Sequence, residues 1–183
     1  MATTTLVTFD QYLDLPEVDG ARRELDEGRV IEMAHASALH GAVQGRVFHF
    51  ATVWQSQTGA DFYIFQDTEF RLGPDTSRAP DVCLVRKSAF PAMKKVRGVY
   101  AGVPDLAVEV LSENDPTGDV DRKIRQYLNA GTTAVWAFHL EPRHVIVYRP
   151  SGITAPQVLE EPELLPGLRI PVDAIFAGLE DVD

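Results

Sequence analysis

The sequence predicts a mixed α/β (α+β) domain in which helices flank a mixed sheet. Short apolar and β-branched segments, bounded by Gly, Pro and Asp, alternate with two longer segments of helical periodicity. The elements follow the order hairpin, long helix, several strands, helix and strands, which places a helix on each face of a sheet. A parallel nucleotide-binding fold fits less well, because it would need a Gly-rich first turn and regularly repeated strand–helix units. At 183 residues we expect a single domain over residues 1–183.

The first elements are a short helix and a hairpin. Residues 9–15 predict a helix that Pro16 ends. Residues 22–34, RRELDEGRVIEMA, predict two strands, because Gly28 supplies the positive φ that a tight hairpin needs. Glu24 falls on the first arm, where its charged neighbours make a solvated carboxylate nearly as plausible as a ligand.

A long helix is predicted over residues 37–58. Its apolar positions recur at helical spacing and are Leu39, Val43, Val47, Phe50, Ala51 and Trp54. Ser37 is a suitable N-cap and Gly59 a suitable C-terminal stop. His40 and Gln44 lie four residues apart and therefore share a face. A histidine at a helix start is more often a hydrogen-bonded structural group than a catalytic one.

Three extended segments come next, at residues 62–66, 68–72 and 81–86, and they predict strands of one sheet. Residues 73–80, GPDTSRAP, predict the loop before the last of them. Asp81 stands at the start of that strand. An Asp after Pro also caps turns, so this position alone does not identify a ligand.

Residues 86–103 predict a basic loop without Asp or Glu. The net charge of −10 argues against a protein that coats nucleic acid through a globally basic surface. A local basic groove remains compatible with that charge, and a solvated loop is an equal alternative. The basic residues concerned are Arg86, Lys87, Lys94, Lys95 and Arg97.

The strand of residues 104–111 carries one carboxylate in an apolar setting. Side chains alternate along a strand, so Glu109 points to the side opposite Leu106, Val108 and Val110. An unpaired buried carboxylate is costly, so a cation, a hydrogen-bond network or a water-filled cleft must compensate it.

A helix ending at Gly131 follows, with a buried stripe of Val120, Ile124, Tyr127 and Leu128. Asp119, Lys123 and Tyr127 follow one edge of it, and Lys123 could simply pair with Asp119 one turn earlier. Residues 134–139 and 144–149 predict a hairpin, and the C-terminal segment predicts a short apolar helix or turn.

Two carboxylates from different strands can converge in this arrangement. Asp105 and Glu109 share a face but lie about 13 Å apart along one strand, so they cannot hold the same ion. If the strand that Asp81 begins pairs with residues 104–111, the carboxylates of Asp81 and Glu109 meet. Converging carboxylates repel each other unless a cation lies between them, and Mg²⁺ held by carboxylates, a carbonyl and water satisfies that demand.

These motifs, in this order, resemble the Uma-type family of restriction endonucleases, which belongs to the PD-(D/E)xK nuclease superfamily. The matching motifs are Glu24 in its hairpin, Pro80-Asp81 before an apolar strand, PDLAVEVLS with Glu109, and Lys123 before AGTTAVWAF. The resemblance covers roughly residues 9–176. It implies a restriction-endonuclease-like fold and an endonuclease that cleaves nucleic acid, with DNA as the expected substrate and Mg²⁺ or Mn²⁺ as the cofactor.

The resemblance also implies roles for individual residues. The implied metal ligands are Asp81, Glu109 and the carbonyl of Val110. The implied catalytic residues are Asp81, Glu109, Lys123, Glu24 and His40. The superfamily's lysine two residues after the Glu is Leu111 in this chain, and Lys123 supplies the amine from the following helix, from where its long stem can reach the strand.

The remaining expectations concern partners and location. We expect nucleic-acid contacts at Lys87, Lys94, Lys95 and Arg97, and a homodimer. No window is long and apolar enough for a membrane span, and the N-terminus lacks a secretory signal, so we expect a soluble cytoplasmic protein. The one cysteine, Cys83, excludes a disulfide framework within the chain and predicts a buried reduced thiol.

Two other functions are compatible with the same residues. A relative that keeps the fold but has lost catalysis would bind a partner or nucleic acid without metal. A metal-dependent hydrolase of a small phosphoester would not need the basic segment 86–103.

Overall fold

The computed structural model describes residues 6–16, 22–33, 35–113 and 115–182. The helices in these ranges are α1 (Phe9–Leu13), α2 (Ala38–Thr58), α3 (Thr117–Ala130) and α4 (Val172–Phe176), and a 3₁₀ turn covers Phe90–Ala92. The first strands are β1 (Arg22–Asp26), β2 (Arg29–Met33), β3 (Phe62–Gln66), β4 (Phe70–Arg71), β5 (Ser77–Arg78), β6 (Val82–Arg86), β7 (Lys94–Val96) and β8 (Val99–Ala101). The later strands are β9 (Leu106–Leu111), β10 (Ala134–His139), β11 (His144–Arg149), β12 (Gly152–Thr154), β13 (Val158–Leu159) and β14 (Ile170–Pro171).

The described strands form two six-stranded sheets and a small two-stranded one. The first sheet has the order β2-β1-β5-β4-β8-β7 and the second the order β12-β11-β10-β9-β6-β3. In the second sheet β9 and β10 run parallel, whereas β9 and β6 run antiparallel. The predicted α+β class, with mixed sheets and flanking helices, is therefore confirmed.

The prediction that residues 62–66, 68–72 and 81–86 share one sheet is wrong. β3 and β6 pair in the second sheet, but β4 belongs to the first. Asp67, directly after β3, has a φ of +50°. This left-handed residue turns the chain out of one sheet and into the other.

Two segments that were predicted as loops contain strands. Residues 73–80 include β5, which pairs with both β1 and β4. Residues 86–103 include the 3₁₀ turn and an antiparallel hairpin of β7 and β8. Arg97 and Gly98 connect that hairpin with φ values of +46° and +93°, the left-handed pair that a two-residue turn requires. The segment is therefore ordered backbone that presents its cations on a hairpin.

The predicted β1–β2 hairpin and long helix are confirmed. Glu27 and Gly28 form the hairpin turn with φ values of +50° and +80°. Ser37 caps α2 by accepting a hydrogen bond from the backbone nitrogen of His40 at 3.1 Å. Helix α1 ends at Leu13, two residues before the predicted end, and residues 1–5 lie outside the described ranges.

The core covers the second sheet on both faces. On one face, α2 and α4 pack over an apolar layer that includes Val82, Val108 and Val110. On the other face, α3 packs through Ile124 and Tyr127 against alternate β9 and β10 side chains. Strand β9 is therefore buried throughout; as predicted, Glu109 lies on the side opposite Leu106, Val108 and Val110, and this side faces α3.

The C-terminal segment also follows its prediction, because α4 forms the short apolar helix and buries Ile175 and Phe176 in the main core. Cys83 is a buried free thiol. Within the described ranges, no helix is long and apolar enough to cross a membrane.

Candidate active site

A cavity of about 490 Å³ lies between the β1–β2 hairpin, the start of α2, the end of β9 and the first turns of α3. The side chains of all five predicted catalytic residues line it, together with Val110; the five are Glu24, His40, Asp81, Glu109 and Lys123. Residues from separate elements therefore meet in one recess.

Asp81 and Glu109 lie side by side across two antiparallel strands. The register of β6 and β9 pairs Val82 with Val108, and one further step places Asp81 opposite Glu109. Residues opposite each other in an antiparallel pair project to the same face of the sheet. Asp81 Oδ2 also accepts a hydrogen bond of 2.6 Å from the backbone nitrogen of Val110, which fixes its carboxylate beside the end of β9.

Only one of the two carboxylate oxygens of Glu109 has a hydrogen-bond partner among the described residues. Its Oε2 accepts a hydrogen bond of 2.8 Å from Lys123 Nζ, whereas Oε1 is buried without a hydrogen-bond partner among the described residues. Burial raises the pKa of Glu109 to about 7, and the neighbouring charges of Asp81 and Glu24 act in the same direction, against the effect of Lys123. This oxygen has no hydrogen-bond partner among the described residues, although the buried hydroxyl of Tyr127 interacts with the Glu109 carboxyl, and burial and the charge of Glu109 raise the pKa of Tyr127.

Lys123 bridges two buried carboxylates. Its Nζ lies 2.8 Å from Glu109 Oε2 and 3.2 Å from Glu24 Oε1. Burial acts to lower the pKa of Lys123, but the two carboxylates outweigh it and the pKa is raised, so the amine is an ammonium at neutral pH. The alternative pairing with Asp119 is not formed, since Asp119 instead accepts from Arg122 Nη2 at 2.7 Å.

Glu24 is a buried anion, so the alternative of a solvated hairpin carboxylate is wrong. Its side chain is 2% exposed and accepts hydrogen bonds from Arg78 Nη1 at 2.8 Å and from the backbone nitrogen of Ala79 at 2.9 Å. Burial acts to raise the pKa of Glu24, but Lys123 and Arg78 outweigh it and lower the pKa overall. Glu24 therefore holds one side of Lys123 with a fixed negative charge.

Arg78 is the central group of the site that sequence reasoning missed. Its side chain is 5% exposed, and its guanidinium contacts Glu24, Asp26 Oδ1 at 2.6 Å and Gln126 Oε1 at 2.8 Å. Arg122 also contacts Asp26, with its Nη2 at 2.7 Å from Oδ2. The one available signal was a basic residue three positions before Asp81, in a segment whose turn residues predicted a loop.

The first two turns of α2 hold Asp81 from the other side. His40 Nε2 lies 3.0 Å from Asp81 Oδ1, and Gln44 Nε2 donates to the backbone carbonyl of Asp81 at 2.9 Å. Burial acts to lower the pKa of His40, but the contact with Asp81 outweighs it and raises the pKa. His40 and Gln44 therefore share a face, as predicted, and both contact Asp81, while Gln44 Nε2 also donates to Asp67 Oδ1 at 3.1 Å.

The four predicted nucleic-acid contacts lie apart from this recess. Among the described residues that line the cavity, none is Lys87, Lys94, Lys95 or Arg97. Lys87 pairs with Asp61 at 3.4 Å, and Arg97 pairs with Asp14. β7, which carries Lys94 and Lys95, lies at the edge of the first sheet opposite β2, five strand spacings or about 24 Å away. The cavity lining instead includes Arg22, Arg23 and Arg122.

The donor set fits a hard divalent cation. Within the part of the chain that the structure describes, no group of three or more His, Cys, Asp or Glu side chains is arranged around a common metal position. Mg²⁺ does not require three such side chains, because it is commonly held by one or two carboxylates, with water and substrate phosphate completing its coordination shell. The unpartnered Oε1 of Glu109, next to Asp81 and Val110, supplies such a pair of carboxylates.

Comparisons with known proteins identify a family and a solved structure of the same fold. The family model Uma2, described as "Putative restriction endonuclease", matches residues 9–176. The crystal structure of a "putative nuclease belonging to DUF820" from Anabaena variabilis superposes with a TM-score of 0.81 and 23% sequence identity, covering 93% of this chain and 98% of that chain. At this identity the likeness shows the fold. A search of curated proteins finds no match.

Proposed function

This chain belongs to the Uma2 family, described as "Putative restriction endonuclease", and from that premise we propose that it is a metal-dependent endonuclease that hydrolyses phosphodiester bonds in DNA. The observation that carries the proposal is the meeting of Asp81, Glu109 and Lys123 in one recess, where Glu109 keeps a buried carboxylate oxygen without a partner among the described residues. A purely structural ion pair would not need a second carboxylate from a neighbouring strand.

Asp81, Glu109 and the carbonyl of Val110 are the groups proposed to hold Mg²⁺ or Mn²⁺. When bound there, such an ion supplies Lewis acidity for a phosphate oxygen and lowers the pKa of water. His40 and the backbone nitrogen of Val110 fix the orientation of the Asp81 carboxylate before the ion arrives. This preorganisation reduces the entropy lost when the site is assembled.

Lys123 is proposed to act on the reacting phosphate. Its ammonium is held in the recess by Glu109 and Glu24, so it can orient the attacking water and stabilise the negative charge that develops on the phosphate. Glu24 and Arg78 act through Lys123 and are positioning residues. Arg78 holds the carboxylate of Glu24 in place, and that carboxylate in turn fixes the position of the Lys123 ammonium and favours its charged form.

The test is a cleavage assay on plasmid DNA with Mg²⁺, Mn²⁺, Ca²⁺ or EDTA present. The expected result is cleavage with Mg²⁺ or Mn²⁺, none with EDTA, and loss of cleavage in Asp81→Asn and Glu109→Gln. Glu163→Gln, a change at an exposed carboxylate on the distant C-terminal segment, is the matched control and should cleave normally. Cleavage in EDTA, or full activity of Glu109→Gln, would refute the proposal.

Binding of nucleic acid without catalysis is a second candidate function. One observation favours it: Lys123 already compensates part of the charge on Glu109, and His40 contacts Asp81, so the carboxylates have protein partners. Calorimetry with Mn²⁺ separates the two candidates. Metal binding that disappears in Glu109→Gln supports the nuclease, and no metal binding supports the non-catalytic protein.

We further propose that the protein acts as a homodimer, since cutting both strands of a duplex is most simply achieved by two symmetry-related sites. Light scattering on the purified protein measures this directly. A monomer that nevertheless makes double-strand breaks would contradict it.

A further inference from the structure

Four aromatic side chains cluster at the surface beside β6. We call Tyr63, Phe65, Phe90 and Tyr100 the aromatic platform; they come from β3, the 3₁₀ turn and β8. The ring centroids of Tyr63 and Phe90 lie 4.8 Å apart, and those of Phe90 and Tyr100 lie 5.0 Å apart. Tyr63 is 39% exposed, while the other three rings are half-buried.

The platform is held from below by a small core. Phe70, Cys83 and Val85 are buried, and Phe65, Phe90 and Tyr100 pack against them. The inner edges of the rings are therefore fixed, and Tyr63 stands at the outer end, where it contacts both Phe65 and Phe90. A fixed ring that is partly exposed offers a contact surface at little cost in side-chain entropy.

Lysines flank the same rings. Lys87 Nζ lies 5.6 Å from the ring centroid of Tyr63, and Lys95 Nζ lies 5.2 Å from that of Tyr100. The segment 86–103 contains no Asp or Glu, although Asp61 lies 3.4 Å from Lys87. In a chain with a net charge of −10, this combination of cations and rings is complementary to a polyanion that carries flat apolar groups.

We propose that the aromatic platform, with Lys87 and Lys95, binds unpaired nucleotides of a single-stranded segment of nucleic acid. Bases stack on aromatic rings only when they are released from their own pairs and stacks, so a continuous duplex cannot use this surface. The exposed cation–π contacts are weak compared with base stacking. A base can therefore displace an ammonium from the ring, and the displaced ammonium can pair with the adjoining phosphate.

This inference rests on the proposed function in one respect, because it names the class of nucleic acid that the nuclease recognises. Asp81 directly precedes β6, and Tyr63 pairs with Val85 on that strand, so Tyr63 lies about 13 Å from Asp81 along β6. The substrate is then a nucleic acid with an unpaired segment about 13 Å from the cleaved bond, such as a flap, a gap or a frayed end.

The test is fluorescence anisotropy of a labelled oligothymidylate and of a labelled duplex, both in EDTA so that no cleavage occurs. The wild type should bind the oligothymidylate more tightly than the duplex. Tyr63→Ala should weaken oligothymidylate binding roughly 10-fold, whereas Tyr63→Trp, which keeps a stacking surface, should retain it. Lys95→Gln should reduce the slope of log affinity against log salt by about 0.7.

The matched control is Ile153→Ala, which removes an apolar side chain that is 67% exposed on β12 and should bind as the wild type does. Because Tyr63 also packs against Phe65 and Phe90, Tyr63→Ala should lower the thermal unfolding midpoint while the protein stays folded at the assay temperature, and that midpoint is measured alongside. Unchanged oligothymidylate affinity in Tyr63→Ala would overturn the inference. So would an equal loss of duplex binding in that variant.

The same assay keeps this inference separate from the proposed function. Glu109→Gln should lose cleavage but still bind oligothymidylate. Plasmid cleavage without oligothymidylate binding would overturn the inference and leave the proposed nuclease function intact. Oligothymidylate binding by a wild type that does not cleave DNA would overturn the nuclease function and leave the inference intact. If light scattering shows a dimer that Tyr63→Ala dissociates, and oligothymidylate does not bind, the platform is covered by a second copy of the chain and the inference is wrong.

Discussion

The ammonium of Lys123 lies 2.8 Å from Oε2 of Glu109, although fourteen residues separate the two positions and they belong to a helix and a strand. The long lysine stem crosses the packing interface between α3 and β9 to make this contact. Leu111, at the position two residues after Glu109, packs instead in the apolar layer beneath α3. The helix thus supplies an amine to the recess while the strand keeps its apolar packing.

Glu109→Gln should reduce DNA cleavage by at least about 100-fold, because it removes one of two proposed carboxylate ligands. The introduced amide keeps the size of the side chain and can still accept from Lys123, so the fold should survive. Calorimetry with Mn²⁺ should show lost or strongly weakened binding in the same variant. Glu163→Gln serves as the control, and normal metal affinity in Glu109→Gln would exclude Glu109 as a ligand.

Lys123→Met should lower the free energy of unfolding by about 3–5 kcal/mol above pH 7, because it leaves two buried carboxylates without their shared cation. Urea unfolding measures this. The double variant Lys123→Met/Glu109→Gln should be more stable than Lys123→Met alone, since position 109 no longer carries an uncompensated charge and Glu24 keeps Arg78. Additive losses in the double variant would show that the two side chains are not coupled.

Arg78→Lys should lower the free energy of unfolding by about 2–4 kcal/mol, although it keeps the positive charge. A single ammonium cannot reproduce the planar fork that contacts Glu24, Asp26 and Gln126 together. Arg125→Lys, on the exposed face of α3, is the control and should be nearly neutral. A loss no larger than that of the control would show that the fork geometry is unimportant.

The pKa of Glu109, raised from 4.5 to about 7, predicts a pH dependence in two measurements. Without metal, the folded protein keeps a proton that the unfolded chain has released, so this group makes the free energy of unfolding fall as pH rises from about 4.5 to about 7. The raised pKa of His40 acts in the same direction, since its stabilising contact is complete below pH 6.5 and is lost as pH rises through the folded value.

Metal affinity should show the opposite trend, because a proton and a cation compete for the Glu109 carboxylate. Apparent Mn²⁺ affinity should rise by up to about tenfold per pH unit below pH 7 and level off above it. Calorimetry across this range, with Glu163→Gln as the control, measures it. A flat profile in the wild type would show that Glu109 does not titrate on metal binding.

Local patterns in the sequence were sufficient for several features of the fold. Helical spacing and capping residues located α2, alternation identified the face of β9 that carries Glu109, and Gly28 located the first hairpin turn. The order of Asp81, Glu109 and Lys123 along these elements indicated the family and the residues of the candidate site. These features were predictable because each depends on neighbours within a few positions.

Other features required contacts between distant segments, and only the tertiary structure decided them. After the left-handed residue Asp67, β4 joins the first sheet and not the sheet of β3, and β5 is too short to show any periodicity. The burial of Glu24 and the role of Arg78 follow from the packing of the first sheet against α3, which no local pattern reports. The sequence determined which side chains can share a face; the packing of sheets and helix determined which faces meet, because burial and charge compensation depend on groups that are far apart along the chain.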